Sequence, residues 1–138
     1  MSEDHHTMHR VFAYGTLKRG LKNHHLMARA RFLGLAASVP HYRMIAGDYP
    51  VLFEQGAGLL PVSGELFEVD DATLVELDKL ESVGTLYDRK TVAIALGDAG
   101  VTDAFIYIGR PAAWASRGWL PFTARDADGR LHWPAPAG

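Results

Sequence analysis

The stretch HRVFAYGTLKRG, residues 9–20, predicts a short buried strand that ends in a tight turn. Residues 9–14 suit a strand, and Gly15 permits backbone angles that other residues avoid, so the chain can turn there. Backbone N–H groups that point outward from such a turn can bind a carboxylate or a phosphate. The alternative is that these residues form a turn that only connects the strand to a helix and binds no ligand. A nucleotide-binding P-loop is excluded, because that motif needs Lys and then Ser or Thr directly after its second glycine, where this chain has Leu21 and Lys22.

The rest of the chain divides into two predicted helices and several strands. Residues 22–31 and 72–82 lack Gly and Pro and contain helix formers, and Asp70 and Asp71 can cap the second helix. Apolar runs bounded by turn residues predict strands at 32–37, 42–46, 51–54, 64–69, 87–96 and 101–108, the last two as a hairpin. Because the strands cluster between the helices instead of alternating with them, we expect an α+β fold with a mostly antiparallel sheet or barrel.

The composition of the 138 residues is typical of one globular domain. The net charge of -2 gives no global electrostatic reason to bind nucleic acid or an anionic membrane, and the absence of Cys excludes disulfides and thiolate chemistry. The polar N-terminus lacks the order of a secretory signal, so we expect a cytoplasmic protein. We divide the chain into a flexible tail at 1–9, a domain at 10–110, and a Trp- and Pro-rich extension at 111–138 that packs on the domain.

One carboxylate lies on the apolar face of the second predicted helix. At about 100° per residue, with Leu74 at zero, Leu77 falls near ~300° and Glu81 near ~340°. A carboxylate directed toward a core loses hydration, which raises its pKa, and such an acid in a cleft is a candidate proton carrier. Two structural alternatives stay open at this point: Glu81 bends out to solvent, or it pairs with Arg89.

Several of these segments together resemble one protein family, the gamma-glutamylcyclotransferase-like family, and most of all its gamma-glutamylamine cyclotransferase branch. The motifs that carry the resemblance follow one another in the family's order: YGTLKRG at 14–20, Asn23-His24, LDKLE at 77–81, and Tyr87-x-Arg89. The resemblance covers roughly residues 10–108. Thr16 stands where many members have Ser, and the Trp-rich segment at the C-terminal end matches no family pattern, so the leaving group is left open.

The resemblance implies a fold and a set of roles. The fold is a small mixed, mostly antiparallel β-barrel with flanking helices, and neither a cofactor nor a metal is needed. The first loop binds the glutamyl end of the substrate and the helix carboxylate is the catalytic acid/base, while Tyr87 and Arg89 either orient the substrate or face the sheet. The expected site residues are therefore Glu81 as the catalytic residue and Tyr14, Gly15, Thr16, Leu17, Tyr87 and Arg89 as the substrate-binding residues.

The implied reaction requires a pocket, backbone donors and one carboxylate. The α-amine of a gamma-glutamyl amine or amino acid attacks its own side-chain carbonyl, closes 5-oxoproline and releases the amine, with Glu81 as general acid/base. Two alternatives stay open: a member that binds a small carboxylate ligand without turnover, and a biosynthetic enzyme that removes a gamma-glutamyl protecting group. In each case the expected partner is a small molecule, with no nucleic acid and no membrane.

Overall fold

A closed barrel and a smaller sheet make up the protein in the computed structural model, which describes residues 7–136. The strands are β1 (Met8–Ala13), β2 (Arg31–Ser38), β3 (Arg43–Ala46), β4 (Pro50–Phe53), β5 (Ser63–Asp70), β6 (Tyr87–Ala95), β7 (Val101–Gly109) and β8 (Leu120–Phe122). The helices are α1 (Asp71–Leu80) and α2 (Pro111–Trp114). The barrel runs in the order β1-β5-β2-β6-β7, and the smaller sheet in the order β4-β3-β8. The expected α+β fold with a small mixed, mostly antiparallel β-barrel is confirmed.

The barrel closes through one parallel junction. β1 and β7 meet there at Val11 and Phe105, whereas the other junctions of the barrel are antiparallel. Side chains of a strand alternate between its two faces, so β1 contributes to two apolar clusters. Phe12 belongs to one cluster with residues of β7, and Val11 belongs to the other with residues of α1. The second half of β1, which precedes the first loop, is thus buried on both faces and holds the start of that loop in place.

The helix expected at 22–31 is wrong, since the structure forms only a single 3-10 turn at His24–Met27. Asn23 lies inside the expected helix, but its side chain and its backbone N–H both donate to Thr16 of the first loop, each at 2.9 Å. Within the turn only Met27 is fully buried, so no apolar stripe supports a longer helix. A helix of this length is marginal without such support, and the chain enters β2 at Arg31.

The two ends of helix α1 are set by Asp70 at its start and by Ser82 just beyond its end. The Asp70 carboxylate accepts a hydrogen bond from the Thr73 N–H at 2.8 Å, which satisfies a free donor of the first turn. Leu77 is fully buried against the barrel. The helix ends at Leu80, two residues before the expected end, because Ser82 takes a left-handed backbone conformation with φ of 49°.

The hairpin expected at 87–96 and 101–108 is present as β6 and β7, which pair along their whole length. Beyond β7, the described part of the Trp-rich extension lies against the rest of the chain. β8 pairs with β3, and Trp114 is buried, with its indole N–H donating to the Leu86 carbonyl at 2.9 Å. At the other end of the chain, β1 begins at Met8, and residues 1–6 of the expected tail lie outside the described residues. None of the helices in residues 7–136 is long and apolar enough to cross a membrane.

Candidate active site

The loop at residues 14–20 follows β1 directly and is held by three kinds of contact. The Tyr14 hydroxyl donates to the Tyr107 carbonyl of β7 at 2.5 Å. The Asn23 N–H donates to the Thr16 carbonyl at 2.9 Å, in addition to the side-chain bond between the same residues. The ring of His24 bonds through Nδ1 to the Leu17 carbonyl, also at 2.9 Å. The Asn-His pair of the sequence motif therefore fixes the conformation of the loop.

Gly15 is required where it stands because Pro50 of β4 lies against it. A Cβ atom added to Gly15 would lie 3.0 Å from the Pro50 Cγ and 3.1 Å from its Cδ, tighter than ordinary van der Waals contact. A larger residue would push the loop away from β4 or displace the proline. The close approach of β4 is thus part of how the first loop is shaped.

The backbone donors of this loop divide into two groups. The Lys18 N–H donates to the Gly15 carbonyl at 3.1 Å, and the Arg19 N–H donates to the Glu65 carboxylate at 2.8 Å. The N–H groups of Gly15, Thr16 and Leu17 have no acceptor among residues 7–136. Successive free N–H groups form a site for an anionic oxygen.

These free donors border a small cavity, which we call the loop pocket. The loop pocket is lined by Phe12, Ala13, Tyr14, Gly15, Thr16, Leu17, Tyr49, Pro50, Glu81, Tyr87 and Tyr107. A second depression, the outer pocket, adjoins it and is lined by Thr16, Asn23, Tyr49, Leu80, Glu81, Leu86 and Tyr87. Four residues, Glu81 among them, line both, so the two pockets form one continuous cleft.

The cleft brings together six of the seven residues that the sequence indicates. Tyr14 to Leu17, Tyr87 and Glu81 all line the loop pocket. Arg89 does not line either pocket. It pairs with the carboxylate of Asp78, and its guanidinium carbon lies 4.4 Å from the centre of the Phe105 ring. The structure therefore places Arg89 outside the cleft.

Glu81 lies just past the last residue of α1 and keeps the direction of the helix. Its backbone N–H donates to the Leu77 carbonyl at 3.0 Å, so the side chain continues the apolar face of the helix into the cleft. The carboxylate has no hydrogen-bond or ion-pair partner among residues 7–136, and the alternative that it pairs with Arg89 is wrong. Burial without a compensating partner raises the pKa of Glu81 to about 7.

Tyrosine side chains surround this acid. Burial raises the pKa of Tyr14, Tyr87 and Tyr107 well above the ordinary value, and the negative charge of Glu81 raises each of them further. The pKa of Tyr49 is also raised, again mainly by burial. These hydroxyls therefore stay protonated near neutral pH, and Glu81 is the group of the cleft that can change its charge there.

Several residues of the cleft are absent from the predicted site, among them Tyr49, Pro50 and Tyr107. These three come from the turn and strand around β4 and from β7, far along the chain from both motifs. Asp78 explains how Tyr107 is held, because its carboxylate accepts the Tyr107 hydroxyl at 2.8 Å while it pairs with Arg89. No group of three or more His, Asp or Glu side chains in the described part of the chain could hold a metal ion.

A small barrel with free backbone donors and one isolated, protonatable carboxylate defines a class of protein that can bind an anionic small molecule and move a proton on it. Comparison with known proteins identifies the family. Residues 11–124 match the family model described as gamma-glutamyl cyclotransferase, AIG2-like. The chain belongs to the gamma-glutamylcyclotransferase family, as the sequence motifs indicate.

Individual relatives agree with this assignment. The gamma-glutamylaminecyclotransferase of Bos taurus is 38% identical over 106 residues, which cover 70% of this chain and 63% of the bovine protein. A gamma-glutamylcyclotransferase family protein of Escherichia coli is 36% identical over 95 residues, covering 65% of this chain and 77% of the bacterial protein. Among solved structures, an AIG2-like protein of mouse superposes with a TM-score of 0.74 and 29% identity, covering 96% of this chain and 100% of the mouse chain.

Proposed function

We propose that the protein is a cofactor-free cyclotransferase that converts gamma-glutamyl amines or gamma-glutamyl amino acids to 5-oxoproline and a free amine. The observation that carries the proposal is the placement of Glu81. An unpaired carboxylate with a pKa raised to about 7 lines the same cavity as the free N–H groups of Gly15, Thr16 and Leu17. Family membership supports gamma-glutamyl compounds as the substrates.

The raised pKa makes Glu81 a suitable base for this substrate. The α-amine of a gamma-glutamyl compound has a pKa near ~7.7–8, and an ordinary Glu lies about 3.5 units below it, a mismatch of ~5 kcal/mol. With the pKa of Glu81 at about 7 the gap falls to roughly one unit, or ~1.4 kcal/mol. Proton transfer from the amine to Glu81 then fits the general-base range at neutral pH.

The protons balance over the reaction. The substrate ammonium loses two protons as its nitrogen forms the new C–N bond of the lactam ring, and the departing amide nitrogen gains two as its bond to carbon breaks. Glu81 takes one proton from the attacking nitrogen and delivers one to the leaving nitrogen, while the other exchanges with water. One carboxylate between the two nitrogens is sufficient for both steps.

The free N–H groups of the loop bind an anionic oxygen of the substrate, and preorganised donors of this kind contribute ~2.7–4 kcal/mol to transition-state stabilisation. Tyr14 and Tyr87 shape the wall of the pocket around the glutamyl part. Arg89 does not touch substrate in this arrangement. It acts through Asp78, which holds the Tyr107 hydroxyl.

The test is the detection of 5-oxoproline from a panel of gamma-glutamyl amino acids, gamma-glutamyl-ε-lysine and simple gamma-glutamyl alkylamines. The proposal expects 5-oxoproline and the free amine in equal amounts from at least one of them. Tight binding of these compounds without product would contradict the proposed reaction and would establish the non-catalytic alternative. Release of a large amine from a protected precursor, with none from small substrates, would favour the protecting-group enzyme.

A further inference from the structure

A second cavity lies apart from the cleft, between the first loop, β2, β5 and the C-terminal segment at residues 124–133. We call it the β5 cavity. Its polar lining includes Lys18, Ser63, Glu65, Asp126, Arg130 and His132. None of the residues that line it borders the loop pocket or the outer pocket. The proposed reaction therefore leaves these side chains without a role.

The C-terminal segment is fixed against β5, so the cavity has defined walls. The Ser63 N–H donates to the Leu131 carbonyl at 2.9 Å, and the Leu131 N–H donates to the Pro61 carbonyl at 2.8 Å. A hydrogen bond of 2.6 Å joins the Ser63 hydroxyl to Nδ1 of His132. The second bond partner of the ring, Nε2, contacts no donor or acceptor among residues 7–136.

Lys18 brings a buried cation to this cavity. Only 6% of its surface is exposed, and its ammonium donates to the Trp133 carbonyl, which leaves two N–H donors. No carboxylate of residues 7–136 forms an ion pair with it. The Glu65 carboxylate instead accepts the Arg19 N–H at 2.8 Å and lies 3.4 Å from the Arg19 Nε. A ligand carboxylate would supply the missing counter-charge for Lys18.

Asp126 is the corresponding anion of the cavity. Its Oδ1 accepts the N–H groups of Asp128 at 2.9 Å and Arg130 at 3.1 Å, which closes the turn at residues 126–130. No cation of residues 7–136 forms an ion pair with Asp126, since the guanidinium of Arg130 lies 3.5 Å from the Asp128 carboxylate. The Oδ2 of Asp126 has no partner in the same range and can accept from a ligand.

His132 lies near both of these charges but adds none of its own. Burial lowers the pKa of His132, the charge of Lys18 lowers it further, and the charge of Asp126 opposes both. The ring is therefore neutral near neutral pH. With Glu65 paired to Arg19 and Asp128 paired to Arg130, the β5 cavity holds one unpaired positive charge and one unpaired negative charge.

A ligand that carries both charges matches this arrangement. A plain carboxylate would bind Lys18 but would be repelled by Asp126, and a plain amine would be attracted by Asp126 and repelled by Lys18. We propose that the β5 cavity binds a free α-amino acid, with the ligand carboxylate at Lys18 and the ligand ammonium at Asp126. Leu35 and Ala36 of β2 also line the cavity, so a small apolar side chain is favoured.

Three compounds with the same carbon skeleton test the two charges separately. Alanine carries both charges, propionate lacks the ammonium, and ethylamine lacks the carboxylate. In an NMR titration of the wild-type protein, alanine should shift the amide signals of Gly64 and His132 with an affinity at least about tenfold higher than either other compound. Equal affinity for propionate or for ethylamine would overturn the proposal, as would the absence of these shifts with alanine.

Two variants remove one charge each. Lys18→Met keeps the length of the side chain and should weaken alanine binding by at least about tenfold, whereas Lys22→Met, which alters an exposed lysine close in the chain, should not change it. Asp126→Asn keeps an oxygen for the turn and should weaken alanine binding but not propionate binding, which a general loss of packing would not do. If Lys18→Met does not fold, Asp126→Asn decides alone. Unchanged alanine binding in Asp126→Asn would overturn the proposal.

A last control distinguishes the β5 cavity from the cleft. Glu81→Gln removes the charge of the cleft and should leave the alanine-induced shifts of Gly64 and His132 unchanged. Shifts confined to Gly15 and Thr16 would place alanine in the cleft alone and would overturn the proposal. The titration uses no gamma-glutamyl substrate, so its result does not depend on the proposed function.

Discussion

Arg89 pairs with Asp78, a residue on α1 that precedes the acid of the cleft by less than one helical turn. The same carboxylate accepts the Tyr107 hydroxyl, so Asp78 binds two side chains of the barrel. Arg89 is therefore paired with Asp78 and not with Glu81. This arrangement leaves Glu81 unpaired and explains why burial raises its pKa.

Asp78→Asn is expected to destabilise the fold by about 1–3 kcal/mol, because Arg89 and Tyr107 lose a charged acceptor in a half-buried position. Urea unfolding measures the change. Glu76→Gln is the matched control on the same helix, since Glu76 is exposed and pairs with Lys79 at 3.2 Å, and it should change stability by less than about 0.5 kcal/mol. Equal losses of stability in the two variants would show that the Asp78 contacts contribute no more than an exposed ion pair.

Glu81→Gln is expected to stabilise the protein at high pH and not at low pH. The pKa of Glu81 is about 7 in the folded state against an ordinary value of 4.5, so the folded state holds a proton that the unfolded state has lost between these values. Wild-type stability therefore falls as pH rises through this window, by roughly 3 kcal/mol in total. Because Gln carries no charge, the stability of Glu81→Gln does not fall in this pH range.

Unfolding free energies of the wild type and Glu81→Gln at pH 4 and pH 8 measure this effect. The difference between the two proteins should shift in favour of the variant by up to about 3 kcal/mol between these pH values. Glu76→Gln again serves as the control, with no comparable shift. A difference between wild type and Glu81→Gln that does not depend on pH would contradict the burial of an ionisable carboxylate at this position.

The activity is expected to rise with pH through about 7, because Glu81 must lose its proton before it can act as the base. The acid limb of kcat/KM reports this ionisation, but the free substrate amine titrates near ~8 and could produce a similar limb. Leu80→Lys separates the two. Leu80 lines the outer pocket beside Glu81, and a cation there lowers the pKa of the carboxylate.

Leu80→Lys should move the acid limb to lower pH by about one unit, and Leu80→Gln, the neutral control, should leave it in place. The pKa of the free substrate does not depend on the protein. A limb at the same pH in all three proteins would therefore belong to the substrate amine and would remove the kinetic evidence for Glu81.

Gly15→Ala is expected to reduce 5-oxoproline formation while the protein stays folded. The added methyl group would meet Pro50 at 3.0 Å and displace the loop whose free N–H groups face the cavity. The double variant Gly15→Ala, Pro50→Ala removes the opposing ring atoms and should recover part of the lost activity, a non-additive result that marks direct contact. Purely additive losses would mean that the two residues act on the site separately.

Local patterns account for the parts of the fold and site that the sequence predicts correctly. Gly15 marks the end of β1, Asp70 caps α1, and helical periodicity places Glu81 on the buried face. Each of these depends on residues within a few positions of one another, where spacing determines which side chains share a face.

Contacts between distant segments explain what the sequence does not predict. The expected helix at 22–31 fails because Asn23, which lies inside it, bonds to Thr16 of the first loop. Tyr49 enters the cleft from the turn before β4 and Tyr107 enters it from β7, and no local spacing connects them to Glu81. The choice of Asp78 as the partner of an arginine on β6 is likewise set by the packing of the helix on the barrel.

The proposed reaction depends most on Glu81 as the group that moves the proton. The direct test is the rate of 5-oxoproline release from a turned-over gamma-glutamyl substrate by the wild type and by Glu81→Gln, with substrate binding measured on both. The predicted result is a loss of at least about 100-fold in kcat for Glu81→Gln with binding retained. Release of 5-oxoproline by Glu81→Gln at the wild-type rate would contradict it.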